Sequence, residues 1–382
     1  DGVVVRVSQS SVDSTMNVPP FRFVGGGGGG VRVPMVEIVR AGIEVGEHGE
    51  GGTWTMLRRA EVSGRVLPDA VGDRYTFELT QEAPPEGSTS VMSIVGRIDR
   101  AGVHAELVGL DISGLAGESV PTSSRALFTR LDLKGEVTRA TFDYRFPSPG
   151  TADPLREMTA TLQLRGVAVT LPFRDLAAEG SGGATFPRMT GVTGAITLQG
   201  GTLSAALDGR LEDLPYVVTL EYRGLTPDSP FEAVLESKGF LLQERPRLGP
   251  FLPPAVHKRL RMFSNPTGVV DSRVVVSRGA GDGQPSVAGA IDLRDGVASF
   301  IRFPYQFRQM AGRIEFDDTT LRIVRLNGRA VNGATIDAKG TISPLTDEAA
   351  VSLEIEVKDI PVDEMLERGL GERRRGVIDA LF

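Results

Sequence analysis

The chain has 382 residues and a formal charge of −7, with hydrophobic residues at 40% and charged residues at 24%, a globular balance that excludes a wholly disordered chain. With no basic face beyond Arg373, Arg374 and Arg375, the charge argues against nucleic acid as a partner. The absence of cysteine excludes disulfides and thiolate metal sites and leaves the redox compartment undecided.

From the N-terminus, "DGVVVRVSQSSV" reads as a strand and has neither the basic start nor the apolar run of a secretory signal. No stretch reaches the ~18 to 20 consecutive apolar residues of a membrane helix. The sequence therefore reads as a soluble portion of a longer protein whose targeting segment is absent. Six glycines, Gly25 to Gly30, predict a flexible loop, and "VRVPMVEIV" after them predicts a strand rather than the helix that a phosphate-cradling loop requires. "GEHGEGG", from Gly46 to Gly52, reads as a solvated hairpin tip. Period-two alternation follows in "RYTFEL" (Arg74 to Leu79), "ATLQLRGVAVTL" (Ala160 to Leu171) and "SRVVVS" (Ser272 to Ser277), each placing one set of side chains on one face.

"LPPAVHKRLRMF", Leu252 to Phe263, predicts a short helix entered at proline and stopped before "SNPTG". "FDDTT" predicts a turn between Ile314–Phe316 and Leu321–Ile323. In "VSLEIEV", Val351, Leu353, Ile355 and Val357 face one way and Ser352, Glu354 and Glu356 the other. The closing stretch from Pro361 to Phe382 predicts a second short helical region, broken near Gly369 and Gly371. A glycine flanked by β-formers recurs irregularly, at Gly64, Gly96, Gly135, Gly166, Gly194, Gly209, Gly289, Gly312, Gly328 and Gly340. It predicts a sheet marked repeatedly by bulges, bends or close backbone approaches, from a degenerate repeat.

Groups that carry chemistry are sparse. His48, His104 and His257 are scattered, and a metal site needs more convergent ligands than one of them with nearby carboxylates. Asp317 and Asp318 are adjacent, so on a strand they would point to opposite faces and could not act on one glycosidic bond. No G-x-S-x-G, P-loop or H-E-x-x-H occurs. The expectation is no catalytic site, no cofactor and no metal.

Two stretches carry a resemblance. "LPPAVHKRLRMFSNPTGVVDSRVVV" (Leu252 to Val276) resembles the short helix, Pro-x-Gly and strand of AsmA-like proteins. "DLRDGVASFIRFPYQFRQMAGRIEFDDTTLRIVRLNGRAVNGATIDAKGTISPL" (Asp292 to Leu345) resembles their C-terminal repeat, with Phe-Pro-Tyr, a glycine and strand, then L-x-G and G-x-I. "VPMVEIVRAGIEVGE" (Val33 to Glu47) is similar to the opening of their strand units. The resemblance divides the chain into an N-terminal β-rich repeat portion, residues 1–250 with the Gly25–Gly30 loop, and a C-terminal AsmA-like portion, residues 251–382, continuous with it. It implies a bacterial bridge-like lipid-transfer protein of the TamB-like and YhdP-like kind, periplasmic and anchored to the inner membrane through segments outside this chain. The implied fold is mainly β: an elongated, curled, taco-like, antiparallel-rich sheet forming an apolar groove, with a few short helices.

The residues point the same way independently. A sheet with one apolar face must cover it with another sheet, helices or a ligand, and predicted helix is scarce. A strand of ~7 residues spans roughly 23 Å, about one lipid tail. Phe300, Phe303, Tyr305, Phe307, Phe316, Ile323, Leu353 and Ile355 are the candidate lipid contacts, with little head-group selectivity expected because they include no Arg or Lys. The function expected is shielding of phospholipid or other acyl chains between inner and outer membranes. The alternative is a structural or adhesive β-sandwich that binds protein or glycan partners and fills the same face with its own core.

Overall fold

The structure, a computed structural model, describes residues 3–10, 16–17, 35–49, 53–69, 74–83, 91–113, 129, 132–146, 157–170, 188–211, 214–224, 229–242, 263–300, 303–331, 333–346 and 348–361. These residues are mainly β and antiparallel, with almost no helix. The chain divides into two compact units: Asp1–Pro172, Arg188–Gly209 and Leu220–Ser229 make the first, and Phe173–Pro187, Arg210–Thr219 and Pro230–Phe382 the second.

In the first unit β1 (Val3–Ser10) takes the short β2 (Met16–Asn17) antiparallel on one side and lies parallel to β3 (Val36–His48) on the other. From β3 each strand pairs antiparallel with the next through β4 (Trp54–Pro68), β5 (Arg74–Gln81), β6 (Ser93–Asp99), β7 (Gly102–Asp111), β8 (Lys134–Arg145), β9 (Met158–Thr170) and β10 (Arg188–Gln199). Next come β11 (Thr202–Leu211) and β12 (Leu214–Arg223). The second unit repeats the up-and-down order through β13 (Phe231–Leu242), β14 (Phe263–Arg278), β15 (Ser286–Phe300), β16 (Phe303–Phe316), β17 (Leu321–Ala330), β18 (Thr335–Ser343) and β19 (Ala350–Lys358).

The predicted helix Leu252–Phe263 lies outside the described residues except at Phe263, which opens β14; Pro266 and Gly268 then fall in a stretch of shifted register, where a proline that cannot donate to the ladder is tolerated. The Gly25–Gly30 loop and the predicted helical region Pro361–Phe382 also lie outside the described residues, apart from Pro361. The "FDDTT" turn is present: Asp317 Oδ1 accepts hydrogen bonds from the Thr319 and Thr320 amides at 2.8 Å and the Thr319 hydroxyl at 2.9 Å. These bonds, the Thr319 amide first, hold its carboxyl below the usual range. "GEHGEGG" does join two strands, yet Glu47 is buried and the His48 ring lies 5.3 Å from that of Trp54. Gly46 and Glu47, expected at a solvated tip, are buried because they belong to β3, which runs on to His48; Glu50 to Gly52 lie outside the described residues.

The recurrent glycines do two jobs. Gly166, at φ +64, sits in a stretch of β9 where the register shifts, a conformation that costs glycine nothing. Gly96 and Gly289 lie instead in regular ladders, directly opposite Phe77 and Phe316, whose rings occupy the space a side chain would fill. A Cβ at Gly289 would stand 2.5 Å from Phe316 Cζ and 2.8 Å from the Arg273 carbonyl oxygen. Gly289→Ala is therefore expected to cost about 1–3 kcal/mol by overpacking. Gly283→Ala, with nothing within 4 Å, is the control. Equal thermal melts for the two variants would refute this account of the glycine.

Candidate functional site

Pleat and register sort the second unit into two faces. Leu235, Val274, Gly289, Phe316, Leu321, Ile342 and Val351 are successive cross-strand partners from β13 to β19. Beside this row, Ile291, Ile314 and Ile323 lead across Gly340 to Leu353. A third row passes from Phe240 through Val270, Leu293, Gly312, Leu326 and Ala338 to Ile355. Every member of the three rows from β15 onward is apolar or glycine, so the face is continuous.

Coverage of that face is uneven. The first row is buried at Leu235 (1% exposed), Phe316 and Ile342 and opens at Val351. The isoleucines of the middle row are half-buried, and Leu353 and Ile355 are 45% and 55% exposed. Large apolar side chains exposed side by side are the informative departure from ordinary packing. On β14 the middle row carries Ser272, whose hydroxyl is buried and has no hydrogen-bond partner among the described residues.

The sequence-derived contacts distribute over this face as follows. Ile323 and Leu353 flank Gly340 in the middle row, and Ile355 ends the third. Phe316 is buried over Gly289, and Phe307 is buried with Met310, Ala330 and Ala334. Gln309, at φ +51, occupies a register shift in β16 that lets Phe307 and Met310 join one cluster although they are three apart. Phe300 and Phe303 pair with each other across β15 and β16, and Tyr305 lies in β16.

The first unit carries a second apolar face that residue-by-residue reading of the C-terminal stretch missed. Val66, Phe77, Gly96, Ala105, Phe142, Ala160 and Leu198 form one cross-strand row from β4 to β10. Leu79, Ile94, Leu107, Ala140, Leu162 and Ile196 form the row beside it. All are half-buried, whereas Val137, Val167 and Val192 toward one end of the strands, and Ile98 and Tyr144 toward the other, are buried. The alternation in "RYTFEL" and "ATLQLRGVAVTL" was the available signal.

The opposite faces are polar and laced by ion pairs: Arg65 with Glu78 at 2.8 Å, Arg139 with Glu106 at 2.9 Å, Arg313 with Asp292 at 2.9 Å and Lys339 with Glu354 at 3.1 Å. Exposed pairs of this kind contribute about 0–1 kcal/mol each. Their larger effect is on register, because a one-residue slip would turn them onto the apolar side. No protein-family model, curated protein or solved structure matches the chain.

At the strand ends of the first unit a polar hollow is lined by Arg97, His104, Asp143, Arg145, Glu157 and Thr159 among others. His104 Nδ1 lies 2.7 Å from Asp143 Oδ1, its direct partner on β8. Burial and then the Glu157 carboxylate push the Tyr144 phenol up. Among the described residues no group of three or more His, Asp or Glu converges to hold a metal ion, and no helix is long and apolar enough to cross a membrane, which leaves strands unaddressed.

Proposed function

We propose that the protein binds acyl lipid along its apolar sheet faces and passes it on, making and breaking no bond. The observation that carries this reading is the continuous apolar face of each unit, with middle rows left half-exposed and Val351, Leu353 and Ile355 open at β19. A ligand that covers such a face must be long, flexible and apolar, and an acyl chain meets all three demands. Strands of nine to sixteen residues from β13 to β19 give each unit of width more length than one lipid tail needs. The face would act as the lining of a groove in a curled sheet, with phospholipid head groups in water. The resemblance to AsmA-like proteins adds the setting, a periplasmic route between inner and outer membranes.

Mass spectrometry of organic extracts from protein purified without denaturant tests the reading. Phospholipid in near-stoichiometric amount is the expected result. Lipid-free protein that also fails to take up lipid from vesicles would remove the proposal in favour of a structural or adhesive sheet.

A further inference from the structure

The geometry points to the open edge of β19 as a docking site for an extended, basic, alternating segment of another polypeptide, added as one more antiparallel strand. Among the described residues β19 pairs only with β18, and it does so without a register shift, whereas every other pairing between β13 and β18 contains one. It contains no proline, and the side chains from Ala350 to Glu356 are exposed. Natural edges are usually blunted by bulges, prolines or inward charges; this one is regular and is suited to strand addition.

Charge identifies the occupant. On the polar face the acid of one strand repeatedly takes the arginine of the next: Glu236 with Arg273, Asp271 with Arg294, and Asp292 with Arg313. On β19, Glu354 is taken by Lys339 of β18. Glu356 stands opposite Asp337, which Arg325 already holds, and among the described residues it pairs only along its own strand, with Lys358 at 3.0 Å. An arginine on an incoming strand opposite Glu356 would continue the series. A second copy fits poorly, since full antiparallel overlap of two β19 strands sets Glu354 against its own counterpart, and like charges directly opposite are destabilising. The chain's own continuation leaves the edge: Asp359 turns it at φ +57, and Ile360 packs against the cluster of Phe307, Met310, Ala330 and Ala334 on the apolar side.

The test uses the full chain and a fluorescent nine-residue peptide alternating valine and arginine, followed by anisotropy and by amide hydrogen exchange. Saturable binding with slowed exchange in β19 is expected. Glu356→Lys should weaken it about tenfold, by turning a favourable pair into a repulsive one, while Glu232→Lys on β13, an equal change of charge, should not. A valine–glutamate peptide should not bind. The inference is overturned by absence of binding, by equal loss in both variants, or by protection elsewhere than β19. It is also overturned if the peptide binds only after residues 362–382 are removed, which would make the chain's own tail the occupant, or if the chain dimerises through β19 in sedimentation.

Discussion

Leu235→Asp is expected to unfold the second unit. Leu235 is 1% exposed and stands beside Val274 in a row that continues to Gly289 and Phe316. Deleting a buried leucine side chain costs about 2–5 kcal/mol. The carboxylate that replaces it would have to be buried unpaired or neutralised, which adds several kcal/mol more. Together these fall within the range of a typical domain stability, about 5–15 kcal/mol, and are enough to unfold a domain of ordinary stability. The measurement is a thermal melt with limited proteolysis that follows cleavage beyond Pro230. A melting temperature within about 2 °C of the parent would mean that this site is wet and that the buried end of the face has been misread.

Ile355→Asp places the same group on the same apolar face, and the fold should survive it. Ile355 is 55% exposed at the edge strand, so the new carboxylate stays hydrated and the loss should be under about 1 kcal/mol. Lipid content should fall by about half or more under the proposed function, because a hydrated charge interrupts the apolar path beside Leu353, where head-group-free chain would lie. The experiment is a melt and a lipid extraction on one preparation. Folded protein with undiminished lipid would move the binding face to other rows, those of the first unit being the remaining candidates. Unfolding would show that this position is packed in solution.

The contrast between these two substitutions marks where sequence reading stops. Alternation in "VSLEIEV" places Leu353 and Ile355 on one face and Glu354 and Glu356 on the other, and the register of β19 against β18 agrees, with Leu353 opposite Gly340 and Ile355 opposite Ala338. The same alternation treats Phe307 and Phe316 as equivalent to Leu353, yet those rings are buried and Leu353 is open. The shift at Gln309 carried no sequence signal, since glutamine in the left-handed region is uncommon and unmarked by type. Gly96 and Gly289 were legible as special positions, but the reason, a ring lying across the neighbouring strand, depends on Phe77 and Phe316 being brought opposite them. The His104–Asp143 contact joins residues 39 apart in the chain and has no local pattern at all.

By itself the sequence determined the mainly β class, the "FDDTT" turn and, within runs unbroken by a register shift such as "VSLEIEV", which side chains share a face, because pleating is a property of the local backbone with a period of two. Only the tertiary structure decided which part of each apolar face is covered and which is open, which glycines lie beneath rings, which charges meet, and that β19 keeps a regular free edge among the described residues. Those outcomes depend on register between strands and on what packs over each residue, and both are set by partners far along the chain.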